Sequence, residues 1–376
     1  LRLNAKDDLL KLFLVIMLIA SIFYAGSIFK SYETTTAAGV KYTIPNQYTI
    51  QWQKAMAWVR ENTPEKSIFV HWWDYGYWVQ TIGQRATVTD GGHAIGFWDH
   101  LTGRYLLTTT KPETALSLMK SYNVSYLLID STDLGKYSAY SIIGSDANGK
   151  DRFSQIPVMI LNPQQTQQTN NSEMRIYQGS SFVDEDIVYN GAQGQIFLPI
   201  GNSFVAGTVI GITRDNNTIT FDQPITIFIY NGKQINIPVR YFQYENEFLD
   251  FGSGLDATVK IIPQVSQTNQ NIQIDRIGAA IYLSPKVSKG LFAQLYLLND
   301  PSKNYETVEL AHSQSDIVLA DLNKQGANLG EFAYFNGFRG PIKIWNVKYD
   351  ENILAREEFL RTSGEYAELD NLQFVR

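Results

Sequence analysis

The sequence predicts an α/β core, a parallel-type sheet with helices, joined to an antiparallel β-rich domain and preceded by one transmembrane helix. Three observations lead there. An uncharged apolar run lies near the start of the chain, and helical periodicity then alternates with short apolar runs to about residue 180. Beyond it, β-branched and aromatic stretches alternate with turn residues to about residue 285.

Leu12–Phe29, LFLVIMLIASIFYAGSIF, holds 18 residues without a charge; extended back across Lys11 to Leu9, the stretch is 21 residues long. At the helical rise that is about 31 Å, enough to cross a bilayer core. A signal peptide is the competing reading behind Arg2, Lys6 and Lys11. Signal cores, however, run to only about 7–15 residues, and no A-x-A cleavage site follows. With the basic residues before the span, the remainder is expected on the outer face of the cell membrane. Because the chain opens at Leu1 rather than Met, it is expected to be the tail of a longer membrane protein. Residues 31–46, with Pro45 near their end, read as a connector.

From Gln47 the residues Trp52, Ala55, Met56 and Val59 recur at helical spacing until Asn62-Thr63-Pro64. Ser67–His71 reads as a short buried strand, Tyr75–Ile82 as a helix, and Ala86–Thr89 as a second strand ending at Asp90-Gly91-Gly92. Thr110-x-x-Glu113 has the form of a capping box, with Pro112 in the first turn of a helix carrying Ala115, Leu116, Leu118 and Met119. Val124–Ile129 is a third strand, so the order is that of βαβ units. GTVIGITRDNNTITF and PITIFIYNGKQINIPVRYF follow, with hairpin signals at Asp215-Asn216 and Asn231-Gly232. Gly290–Leu298 is helix-like, and Arg339–Val347 returns to strand. The expected organisation is a transmembrane helix over 1–30, an α/β core over 31–185, a β-rich insertion or peripheral domain over 186–285, and a return to the core over 286–376.

The 376 residues carry a net charge of −6, which argues against a phosphate-backbone binder; no nucleic-acid partner is expected. With 22 Tyr, 20 Phe and 7 Trp there is material for a large core. Cysteine is absent, which excludes disulfide scaffolds, thiolate zinc sites and cysteine nucleophiles. Gly144–Lys150 resembles a phosphate loop, but Asp151 stands where Ser or Thr would bind magnesium. His93, Asp99 and His100 obey no metal-ligand spacing, so no metal site is assigned.

Trp72-Trp73-Asp74-Tyr75-Gly76 differs from these. Two indoles and a carboxylate follow a buried strand at the edge where α/β sheets place ligands. Indole N–H groups donate and a carboxylate accepts, a pairing that suits a small hydroxyl group. The plainer alternative is that Asp74 caps the next helix while both indoles fill core.

WWDYG, within HWWDYGYWVQTIGQRATVTDGG, matches the signature of the catalytic subunit of oligosaccharyltransferases, the enzymes of asparagine-linked glycosylation. WQKAMAWVRENTPEKSIFV and the single span also resemble that family, and FNGFRGPIKIWNVKY resembles its archaeal members. The resemblance implies that Trp72, Trp73, Asp74, Tyr75 and Gly76 form the pocket for the hydroxyl residue of an Asn-X-Ser/Thr sequon. A second family element, D-x-x-K-x-x-x-M/I, corresponds to Asp133 and Lys136, with Tyr140 where Met or Ile belongs. Ile142 or Ile143 takes the apolar role if the helix carries an insertion. A solvated Asp133–Lys136 ion pair is the plainer alternative there.

The resemblance further implies transfer of a lipid-linked oligosaccharide to the Asn amide of a polypeptide acceptor, with Mn or Mg in the intact enzyme. The metal and donor sites are expected upstream, so this chain is expected to hold acceptor-binding residues, no catalytic residue and no metal. A membrane-tethered extracellular carbohydrate-binding or surface-layer module is the alternative function. The chain contains sequons of its own at Asn123, Asn170 and Asn216. Glycans are expected at Asn170 or Asn216, in polar turns, while Asn123 is expected to be harder to reach.

Overall fold

The computed structural model describes residues 5–42, 49–93, 95–146, 151–169, 171–191, 194–215, 218–268 and 271–361. Asn170 and Asn216 therefore lie outside the described residues, as does part of the Gly144–Lys150 turn. The chain divides into two compact units, residues 1–45 and 46–376.

The first unit is helix α1 (Ala5–Tyr42). Within it Asp8–Thr36 is long and apolar enough to cross a membrane, and its side chains are exposed. The helix does not stop at residue 30, as the reading of 31–46 as a connector requires. No Pro stands before Pro45, a single Gly39 is accommodated, and the Thr34 and Thr35 hydroxyls donate back to the carbonyls of Lys30 and Ser31.

The second unit opens with α2 (Ile50–Asn62), whose Trp52, Ala55, Met56 and Val59 are buried as the spacing predicts. Strands β1 (Ile68–Val70), β2 (Ala86–Thr87) and β3 (Tyr126–Ile129) alternate with helices α3 (Gly76–Thr81), α4 (Gly96–Leu101) and α5 (Pro112–Ser121). Helix α6 (Asp133–Ile143) follows β3. β1 pairs in parallel with both β2 and β3. The five-stranded sheet is nevertheless mixed: Ile342–Val347 runs antiparallel to β3, and Val308–Gln314 runs antiparallel to that strand. Both come from the last quarter of the chain, so local periodicity could not show their direction.

Two local expectations are corrected. Thr110 and Glu113 form no capping box: α5 begins at Pro112, which makes Lys111 its N-cap, and no side chain caps it. α4 runs on into a π-helix over Thr102–Leu107, and Gly290–Leu298 likewise contains a π-helix over Phe292–Leu297. In the first of these, a Cβ on Gly103 would come within 2.5 Å of the Tyr140 carbonyl, so glycine permits the close approach to α6.

The β-rich part forms a second sheet, predominantly antiparallel, with its own core around Val205, Phe228, Val239 and Val259. It already includes Val158–Leu161 and the long strand Ser172–Phe182, both earlier than residue 186. Two pairings within it are parallel: Lys233–Tyr244 against Leu255–Thr268, and Leu255–Thr268 against Ala333–Tyr334.

Candidate functional site

The parallel pairing of β1, β2 and β3 sets the site. Phe69 lies beside both Thr87 and Tyr126, so the chain leaves all three strands at one edge. The segments that follow, residues 71–76, 88–93 and 130–136, converge there. Two of them carry the residues singled out by sequence.

After β1, Trp72 is buried at 2% exposure and sits in the core, whereas Trp73 and Asp74 are half-buried. Residues Trp73–Tyr75 form a single 3₁₀ turn before α3. Asp74 caps neither element, since no side-chain capping bond is present at either start. Its Oδ2 instead faces Lys136 Nζ at 3.2 Å. Gly76 is demanded by packing rather than by a left-handed backbone. A Cβ there would meet Asp90 Cα at 2.4 Å and the Thr89 carbonyl at 2.8 Å.

Tyr75 ties the two motifs together. Its buried hydroxyl donates to Asp133 Oδ1 at 2.7 Å and lies 2.9 Å from Thr132 Oγ1. Lys136 Nζ donates to the same hydroxyl at 3.2 Å and stands 4.5 Å from the ring centroid. Trp52 of α2 stacks on the other side of Tyr75 with centroids 4.9 Å apart. Asp133 is buried, and its Oδ2 accepts the Asp130 N–H at 3.0 Å. Burial pushes its carboxyl up to about 7; Lys136 opposes that rise and Asp130 adds to it. The solvated Asp133–Lys136 pair therefore does not describe this geometry: the lysine faces Asp74, and Asp133 is a buried anchor.

Tyr140 occupies the position seven residues after Asp133, on the same face of α6. The helix is continuous through that position. The ring packs against Trp72 with centroids 5.4 Å apart, and its buried hydroxyl has no hydrogen-bond partner among the described residues. Ile142 and Ile143 are half-buried in the last turn of α6.

Of His93, Asp99 and His100, the first two meet and the third turns to the backbone of α6. His93 Nδ1 lies 2.7 Å from Asp99 Oδ2, while His100 Nδ1 lies 2.7 Å from the Ile143 carbonyl. Among the described residues no group of three His, Asp or Glu stands close enough to hold a metal ion.

Sequence reasoning missed three contributors. The His93 ring, weighed in the sequence only as a metal ligand, stands edge-on to Trp73 at 4.1 Å. Thr132 and Asp130 brace Asp133, with Asp130 Oδ1 accepting from the Thr132 N–H at 2.7 Å and its hydroxyl at 2.6 Å. A carboxylate at the end of an apolar strand, here Asp130, was the available signal. The indole Nε1 of Trp73 is buried and has no partner among the described residues. An unsatisfied buried donor costs about 1–3 kcal/mol, so this N–H is a group that a partner would satisfy.

Asn123 departs from expectation: it is exposed, in a left-handed turn with φ 52°. The Asn123 N–H donates to the Lys120 carbonyl and the Val124 N–H to the Met119 carbonyl, the Schellman pattern that ends α5.

Residues 65–178 match the family model described as the STT3/PglB/AglB core domain. Over 98 residues the chain is 38% identical to dolichyl-phosphooligosaccharide-protein glycotransferase 1 of Pyrococcus furiosus, a match covering 26% of this chain and 10% of that protein. Over 316 residues it is 24% identical to dolichyl-phosphooligosaccharide-protein glycotransferase 2 of Pyrococcus horikoshii, covering 79% of this chain and 34% of that protein. The chain thus spans between 10% and 34% of the length of these relatives. Among solved structures, the C. jejuni pglb C-terminal domain aligns with a TM-score of 0.40 at 11% identity, covering 79% of this chain and 100% of that one.

Proposed function

We propose, from the match of residues 65–178 to the STT3/PglB/AglB core domain, that the chain is the acceptor-binding part of an oligosaccharyltransferase catalytic subunit. In this reading Trp73 and Asp74 hold the Ser/Thr hydroxyl of an Asn-X-Ser/Thr sequon. Trp72 and Tyr140 form the wall behind them, and Tyr75, Asp133 and Lys136 keep the wall and the carboxylate in place.

The observation that carries this reading is the pairing of an unpartnered donor with a half-exposed acceptor on neighbouring residues. The indole N–H of Trp73 is buried without a partner among the described residues, and the carboxylate of Asp74, the next residue in the chain, is 29% exposed. A hydroxyl donates one bond and accepts others, so it satisfies both groups, whereas a methyl group satisfies neither. Lys136 Nζ, 3.2 Å from Asp74 Oδ2, holds that carboxylate in place as an acceptor.

The reaction proposed for the whole enzyme is transfer of an oligosaccharide from a lipid carrier to the Asn amide. A divalent metal, Mn or Mg, would supply Lewis-acid stabilisation in that reaction. The described residues do not offer a ligand set for it, so on this reading other parts of the enzyme hold metal and donor. The role of this chain is then to bind the acceptor and place its Asn. Helix α1 is proposed to anchor the chain in the cell membrane, with residues 46–376 on the outer face.

Calorimetric titration of the purified chain with an Asn-X-Thr peptide and its Asn-X-Ala counterpart tests the site. Hydroxyl-dependent binding is expected, with a free oligosaccharide producing no signal. Equal binding of the two peptides, or sugar binding alone, overturns the reading.

A further inference from the structure

A cavity of about 240 Å³ opens in the β-rich part, between the strand Leu255–Thr268, the turn at Glu245-Asn246 and the segment Asn328–Phe332. Its inner wall is Lys260, only 4% exposed. The Lys260 ammonium donates to Gln243 Oε1 at 2.9 Å and stands 5.4 Å from the Phe332 ring centroid. An ammonium has three donors, and a neutral amide oxygen answers one of them without answering the charge.

Two carboxylates line the cavity, Glu245 and Glu331, and the second is already engaged. Glu331 Oε1 lies 2.8 Å from Nζ of Lys343, which is 1% exposed. Two buried ammonium groups therefore share one acid, which leaves a net positive charge in a low-dielectric setting. Burial pushes Lys260 down to about 8; Glu331 opposes the shift and Lys343 adds to it. Arg276 lines the same cavity from an exposed position. Glu245 does so from an exposed turn with φ 51°, where solvent screens it from the buried amine.

We propose that this cavity is a binding site for a small anionic ligand, a carboxylate- or phosphate-bearing molecule, held by Lys260 and Arg276. A partner of this kind supplies the missing negative charge. Asn246 and Asn328 offer amide donors and acceptors at the rim to a ligand that also carries hydroxyl groups. The volume falls below the roughly 300–1,000 Å³ of pockets for drug-sized molecules, so the ligand is small. This site is independent of the WWDYG pocket.

The test is titration of the purified full chain by calorimetry with inorganic phosphate, with glucuronate, and with glucose as the uncharged control. Lys260→Met and Arg276→Ala are measured in parallel. Saturable binding of at least one anion is expected, with glucose silent and the affinity weakened tenfold or more in either variant. Phosphate alone would assign a phosphate-bearing ligand, glucuronate alone a sugar acid. Binding of the Asn-X-Thr peptide should not change in either variant, which separates a failure here from a failure of the sequon reading. No saturable anion binding, equal binding in the variants (an adventitious ion only), or equal binding of glucose overturns the proposal. If Lys260→Met does not fold, Arg276→Ala, at the exposed mouth, decides alone.

Discussion

Lys136 Nζ stands 3.2 Å from Asp74 Oδ2 and 3.2 Å from the Tyr75 hydroxyl. One ammonium thus joins residues that lie about sixty positions away in sequence, at the ends of two parallel strands. The carboxylate keeps its orientation through this contact while staying open to a ligand on its remaining face.

For Asp74 the expected effect is on recognition rather than folding. A hydrogen bond from a hydroxyl to a charged acceptor is worth about 1.5–3 kcal/mol, so Asp74→Ala should weaken acceptor use roughly 10- to 150-fold in the intact enzyme. Its partly exposed ion pair contributes only about 0–1 kcal/mol to stability, so Tm should move little. Tm together with relative rates on Asn-X-Thr and Asn-X-Ala peptides checks both points. An unchanged preference for Thr would remove Asp74 from the recognition role.

Asp133 should give stability a specific pH dependence. Its carboxyl is raised from 3.8 to about 7 in the folded chain. Between those values the folded state keeps a proton that the unfolded state has released, so this contribution is full below pH 4 and is lost as pH rises toward 7. Denaturant unfolding at pH 4 and pH 7 should show a smaller loss in Asp133→Asn than in the parent. Asp130, raised in the same direction by burial, leaves a residual slope. An identical loss in both proteins would place the titration elsewhere.

At Tyr140 the ring and the hydroxyl should separate cleanly. The hydroxyl is buried without a partner among the described residues, so Tyr140→Phe should be neutral or stabilising by about 1 kcal/mol. Tyr140→Ala empties a fully buried position against Trp72 and should cost about 3–5 kcal/mol. Denaturation midpoints measure both; a Phe variant that loses more than about 1 kcal/mol would reveal a partner for the hydroxyl.

Gly76→Ala forces a methyl group onto the backbone at Thr89 and Asp90. Overpacking of this kind costs about 1–3 kcal/mol. The displaced segment leads directly to His93, which packs on Trp73, so affinity for the sequon peptide should fall together with Tm. A variant with parental Tm and parental affinity would show that the backbones can separate without cost.

Asn123 offers a purely local check. Its left-handed backbone closes the Schellman turn after α5. Asn123→Gly should retain stability, whereas Asn123→Val should lose about 1–2 kcal/mol, read as a drop in denaturation midpoint.

The sequence by itself determined what short-range spacing controls. Eighteen uncharged residues, Leu12–Phe29, already require a helix of membrane-spanning length. The 3.6-residue recurrence of Trp52, Ala55, Met56 and Val59 selects the buried face of α2. Trp72–Gly76 and Asp133–Lys136 each follow an apolar strand, so their place at a strand end was legible from local pattern.

Tertiary structure alone decided which distant segments meet and in which direction. Ile342–Val347 enters beside β3 antiparallel and makes the sheet mixed, because an apolar run carries no record of its partner's polarity. Tyr140 packs on Trp72 with ring centroids 5.4 Å apart, a contact between residues 68 positions apart that the regular helix α6 sets up. The Trp73 N–H, unpartnered among the described residues, and the buried Lys260 charge arise only when burial removes water from groups that look ordinary in the sequence. Desolvation depends on everything packed around a group, and that environment exists only once the chain has folded.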